Sequence, residues 1–197
     1  MKIIKKVICT LLVASLVLGA NVIAFASEPT VDKSHNAALE IDMNSDSFDV
    51  TKPYEVSKQI VNDRGETVTI GAVYTPNKDY NPYLRWSSSQ NASVGTWTSY
   101  YDGSIACSMQ YDFDVSRSGS HWKISNGRNL VAHAIISTIE GKSLKINRAT
   151  STSAYAAEIM GTCTIKVLDT PIGSAATIDA WIKTTINDSG TLTVSGN

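Results

Sequence analysis

Few side chains in this sequence could do chemistry. Its histidines are His35, His121 and His133, its cysteines Cys9, Cys107 and Cys163. A histidine can serve as a general base only beside a nucleophile or a metal, and the sequence holds neither H-E-x-x-H nor G-x-S-x-G. Serine is so abundant that a Ser/His/Asp set drawn on paper carries no information. A hydrolase would need His121 or His133 to meet a carboxylate inside a deep pocket. Asp42-x-Asn44-x-Asp46-Ser47 imitates the start of a calcium loop, but Ser47 and Pro53 stand where that loop needs Gly and Glu. The stretch reads as a solvated acidic segment. Asp112 and Asp114 share one strand face, where they could hold a cation with a loop carboxylate or form the wet side of an edge strand. The expectation is a protein that is not an enzyme and has no cofactor and no metal.

Aromatic residues are the denser signal. Trp86, Trp97, Tyr100 and Tyr101, with Tyr80 and Tyr83 beside them, crowd a segment interleaved with Ser87–Ser89 and Asn91. Rings among small polar side chains can make a platform for a sugar or a protein, because they offer area at low entropy cost. The competing reading is that the rings cover one end of the core. In an extended chain Trp97 and Tyr101 fall on one face and Tyr100 on the other, so the three cannot all be exposed together.

The elements that position these residues follow an N-terminal leader. Met1–Ala26 carries Lys2, Lys5 and Lys6, an apolar run, and Ala24-Phe25-Ala26. This is the layout of a secretory signal peptide, cleaved between Ala26 and Ser27. An uncleaved N-terminal anchor is the alternative. Cys9 lies before most of the apolar run, so it is not the lipid-bearing cysteine of a lipoprotein. Cleavage leaves 171 of the 197 residues, one domain's worth, with no further span of the roughly 20 apolar residues a membrane helix needs. The expected location is secreted or extracellular.

Removal of three lysines moves the net charge from −1 to −4. Residues 27–50 hold Glu28, Asp32, Glu40, Asp42, Asp46 and Asp49 against Lys33 alone, and the remainder is nearly neutral. No clustered basic field exists, which argues against a nucleic-acid partner. Residues 27–47 are expected to be a flexible acidic arm, since they lack the apolar content to offset ordering. The domain is expected over residues 48–197.

Within the domain the hydrophobic period is two. Ile105, Cys107, Met109, Tyr111, Phe113 and Val115 alternate with small or polar residues. So do Tyr155, Ala157, Ile159, Gly161, Cys163, Ile165 and Val167, then Ile178, Ala180, Ile182 and Ile186, then Leu192 and Val194. Asn62-Asp63-Arg64-Gly65 and Asn187-Asp188-Ser189-Gly190 predict hairpins, and Ser116–Ser120 and Ser125-Asn126-Gly127 predict further turns. Ala132–Ile139 is ambiguous between a short helix and a buried strand, and its flanking turns and Ile content favour the strand. About nine strands with frequent turns predict an all-β fold, an antiparallel β-sandwich.

Cys107 and Cys163 lie on the apolar faces of their strands. In an exported chain they read as one disulfide, which closes a loop of 56 residues and contributes roughly 3–4 kcal/mol. Two buried free thiols are the alternative. Trp122 lies between them, but Gly161 occupies the place of an immunoglobulin tyrosine corner, so a true immunoglobulin domain is not expected.

The body resembles a family of small secreted proteins of Gram-positive bacteria known only as a domain of unknown function. The resemblance rests on Phe48-Asp49-Val50-Thr51, Gln59, Asp63-x-Gly65-x-x-Val68-x-Ile70, Ser143-Leu144-Lys145, Ala154-x-Ala156 and Leu192-Thr193-Val194-Ser195. It implies export and a β-rich fold, and it transfers no catalytic residue. The functional expectation is a non-catalytic binding module at or near the cell envelope, with a glycan or an extracellular protein as partner. A secreted bacteriocin-like or toxin-like antagonist is the alternative, and a hydrolase ranks below both.

Overall fold

A computed structural model describes residues 38–62, 64–77, 95–103, 107–135, 137–167 and 176–197. The leader with Ala26 and Ser27, the first part of the acidic segment, and Trp86 lie outside the described residues. Ten strands are described: β1 Leu39–Asp42, β2 Tyr54–Val61, β3 Thr67–Pro76, β4 Gly95–Gly103, β5 Cys107–Ser118, β6 His121–His133, β7 Ser137–Arg148, β8 Ala157–Val167, β9 Thr177–Ile186 and β10 Thr191–Gly196. They form two antiparallel sheets, ordered β2-β3-β4-β5-β6 and β1-β10-β9-β8-β7. The fold is a β-sandwich, as the alternation predicts.

Each sheet is essentially a meander. Consecutive strands pair within each sheet, β1 pairs with β10, and the chain changes sheet between β1 and β2 and again between β6 and β7. The turns sit where the sequence places Gly. Gly65 between β2 and β3 has φ +79°, and Gly190 between β9 and β10 has φ +87°. An L side chain is strained in that region, so glycine fits there. Asn62 locks the first of these turns, its side-chain oxygen accepting from the backbone N–H of Arg64 and of Glu66.

The inward faces of the two sheets make the core. Its largest fully buried side chains include Trp97, Trp122, Tyr74, Tyr101, Tyr111 and Phe113. Phe48 stacks on Trp97 with ring centroids 5.5 Å apart and meets Tyr74 edge-on at 5.2 Å. Aromatic rings therefore close one end of the sandwich, and the loop after β1 supplies the cover.

Three sequence expectations are corrected. The domain does not begin at Phe48: Leu39–Asp42, inside the predicted flexible arm, is strand β1, paired with β10 as Leu39 to Val194 and Ile41 to Leu192. Leu39, Ile41 and Met43 are buried, so three apolar side chains at alternate positions outweigh the acids between them. Ser125-Asn126-Gly127 is not a turn. β6 runs through it, and Asn126 (φ +51°) and Asn129 (φ +55°) bulge the strand without reversing it. Ala132–Ile139 is not one buried strand. It spans the end of β6, the crossing between sheets and the start of β7, with Ile135 76% exposed.

Candidate functional site

The sheet register decides which aromatic side chains can meet a ligand. Side chains alternate along β4, so Trp97, Ser99 and Tyr101 point inward, and Thr98, Tyr100 and Asp102 point outward. Trp97 and Tyr101 are each 1% exposed. They are core residues and not part of a surface platform, which corrects that expectation. Tyr101 is fastened from within by Asn62, whose side-chain nitrogen donates to its hydroxyl at 3.2 Å. Of the four candidate platform residues, Tyr100 alone is described on an outer face, where it is half-buried.

Around Tyr100 the outer face of this sheet is concave. Tyr100 is opposite Gln110, and Gln110 opposite Val131. In the adjoining row Asp102 is opposite Ser108, and Ser108 opposite His133. With Tyr101 and Met109 these six residues line a groove of about 280 Å³. Gly71, on the neighbouring β3, has no side chain, and the Tyr100 ring occupies the space a Cβ would take. The outer edge of the ring and its hydroxyl thus cover the Gly71 backbone. Burial holds its phenol above the ordinary value, and a hydrogen bond with Ser57 works the other way. The groove therefore offers a neutral phenol, an amide, a carboxylate, an imidazole and a hydroxyl within a few residues of one another. No lysine or arginine is among the described lining residues.

The carboxylates the sequence singled out are already occupied. Asp112 accepts from Thr98 Oγ1 at 2.7 Å and Asn129 Nδ2 at 2.8 Å. Asp114 accepts from Asn126 Nδ2 at 2.8 Å and from Arg128 at 3.1 Å. Their oxygens fasten the two bulges of β6 to the sheet, which is a structural task, and no cluster of three or more metal-ligating side chains occurs among the described residues.

His133 lines the groove. His121 lies elsewhere, after the β5–β6 turn, with Nδ1 2.8 Å from Asp188 Oδ1. Ser151 Oγ donates to the same oxygen at 2.7 Å and accepts the Trp122 backbone N–H at 2.9 Å. These are the three residue types of a hydrolytic triad in a different order. In a triad the imidazole sits between serine and carboxylate and takes the serine proton. Here the carboxylate is the hub and holds that proton's hydrogen bond. The hydrogen bonds from His121 and Ser151 keep the Asp188 carboxyl below its usual range. Arg117 stacks over Trp122 next to this cluster, 4.0 Å from the ring centroid. The cluster ties the β5–β6 turn to the β9–β10 turn and the segment after β7.

Cys107 and Cys163 do meet across the core, with Sγ atoms 3.9 Å apart, and both are free thiols. The hydrogen bond with Cys163, followed by burial, raises the Cys107 thiol, while that same hydrogen bond favours the thiolate at Cys163.

Sequence reasoning missed Asp102, Ser108, Gln110 and Val131, and weighed His133 only as a hydrolase residue. The available signal was the polar register of β4 and β5 on either side of Tyr100. It also missed Trp181, half-buried on the outer face of the second sheet with the Lys183 ammonium 5.7 Å from its ring. Its position between inward Ala180 and Ile182 was the sign.

No protein-family model and no curated protein matches the chain. Among solved structures, a hypothetical protein from Listeria monocytogenes EGD-e is similar at 18% identity and a TM-score of 0.34, covering 73% of this chain and 95% of that one.

Proposed function

We propose that the protein is an exported, non-catalytic binding module acting at or near the cell envelope, and that the groove beside Tyr100 takes a glycan. The supporting observation is the convergence of one half-exposed ring with short polar side chains on a rigid sheet. The face of a phenol packs against the C–H face of a sugar ring. Gln110, Ser108, His133 and Asp102 stand where they can exchange hydrogen bonds with hydroxyls, and the lack of lysine and arginine among the described lining residues favours uncharged over phosphate-rich polymers. The signal-peptide layout of residues 1–26 supports export. The arrangement at His121 supports a non-catalytic reading, because the serine there is bonded to the carboxylate and not to the imidazole.

The test is retention on purified cell walls and on a glycan array, with Tyr100→Ala beside the native protein. Binding by the native protein and its loss in the variant is the expected result. Blank arrays and blank walls for the native protein overturn the reading, as does equal retention of both proteins.

A further inference from the structure

Cys107 begins β5 in one sheet and Cys163 lies within β8 in the other, so the 3.9 Å between their sulfurs spans the sandwich. Both side chains are buried, at 3% and 2% exposure. Met109 Sδ accepts from the Cys163 thiol at 3.6 Å, and the backbone oxygen of Ser108 lies 3.6 Å from Cys107 Sγ. The chain between the two cysteines carries the crossing from β6 to β7, and Ser108, next to Cys107, pairs with His133 where that crossing starts. A bond here would therefore close the sandwich beneath the groove end.

We propose that Cys107 and Cys163 are a covalent modification site, joined by an inter-sheet disulfide when the exported chain folds in an oxidising medium. A bonded pair needs sulfurs about 2 Å apart, and the remaining gap of about 2 Å is within the swing of two χ1 rotations. The oxidant is a small-molecule disulfide such as oxidised glutathione. The Cys163 thiol loses its proton to solvent, and its thiolate attacks one sulfur of the oxidant. That breaks the oxidant's S–S bond, expels one thiolate and leaves a mixed disulfide on Cys163. Cys107, deprotonated in turn, attacks the Cys163 sulfur, forms the protein S–S bond and expels the second thiolate. The two protein thiols lose two electrons and two protons in all, and the oxidant takes up both electrons. Burial of both sulfurs places this exchange before the sheets close, or during opening of the β5 end.

The experiment refolds the reduced, denatured protein with and without oxidised glutathione. Free thiols are then counted by alkylation in denaturant, the intact mass is measured, and thermal unfolding is followed. With oxidant, the thiols of Cys107 and Cys163 are expected to disappear, the mass to fall by two hydrogens, and Tm to rise by about 10 °C. The Cys107→Val/Cys163→Ala chain should show no oxidant-dependent change in Tm. Persistent free thiols at both positions overturn the proposal, and so do stable glutathione adducts without a bridge. Retention of copper with thiols recovered after chelation also overturns it, because it would make the three sulfurs a soft-metal site.

Discussion

The phenol of Tyr111 on β5 and the hydroxyl of Thr184 on β9 meet at 2.7 Å in the middle of the sandwich, joining one sheet to the other. Both residues are fully buried, and the Thr184 hydroxyl donates a hydrogen bond to Ser99 Oγ at 2.7 Å. Burial pushes the Tyr111 phenol well up, so it stays a neutral donor. Removing the donor leaves a polar group without its partner in a dry core. Tyr111→Phe is expected to cost about 1–3 kcal/mol, read as a lower urea midpoint. Tyr111→Phe with Thr184→Val should cost less than the two single changes added, since it removes both polar ends together. An unchanged midpoint for the single variant would show that the pair contributes no stability.

Asp188 gives the stability a pH dependence of known sign. Its folded carboxyl titrates below the usual value because His121 and Ser151 bond to it. The folded state therefore binds that proton more weakly than the unfolded chain does. The resulting stabilisation is complete above the ordinary carboxylate range and is lost as pH falls through that range to the lowered folded value. Asp188→Asn keeps an acceptor oxygen but removes the titration. Thermal unfolding between neutral and strongly acidic pH should show a shallower acid limb for the variant. Parallel limbs would mean that Asp188 does not carry this dependence.

How far the sequence could be read depends on how regular each strand is. The buried positions of β5, at Cys107, Met109, Tyr111, Phe113 and Val115, are those the alternation names, because a two-residue period maps directly onto inward and outward faces. β9 shows where the pattern is silent. Between Ile182 and Ile186 the inward position is Thr184, which a hydropathy pattern leaves blank and the Tyr111 bond fills. β6 hides its continuity, since Asn126 and Asn129 carry turn chemistry that the structure spends on bulges held by Asp114 and Asp112. The groove was only partly legible. The alternation set Tyr100 apart from Trp97 and Tyr101, but its neighbours come from β5 and β6, and register between strands is not written in any one of them.

Strand β1 is short, edge-placed and flanked by acids, yet it contributes burial. Ile41 is 4% exposed and sits opposite Leu192. Ile41→Ala should cost about 2–5 kcal/mol by denaturant unfolding, the range for emptying a buried aliphatic site. Glu40→Ala, on the exposed side of the same strand, should stay within about 0.5 kcal/mol. Equal effects from both changes would mean that β1 does not hold its place in the sheet.

Gly71 offers a way to disturb the groove without touching any residue that lines it. The Tyr100 ring rests where a Gly71 Cβ would stand, so Gly71→Ala must lift the ring off the sheet. The ring is the end of a two-torsion side chain on an outer face and can move without opening the core. Thermal stability should therefore change little. Affinity for a glycan retained by the native protein should fall roughly tenfold or more, matching Tyr100→Ala, because the stacking surface is tilted out of the groove. Tyr100→Phe keeps the ring and removes only the hydroxyl, so it should retain most of the affinity. Calorimetric titration of the three variants separates these outcomes. Native affinity in both Gly71→Ala and Tyr100→Ala would place the ligand elsewhere, and the half-buried Trp181 on the opposite sheet would be the next surface to test.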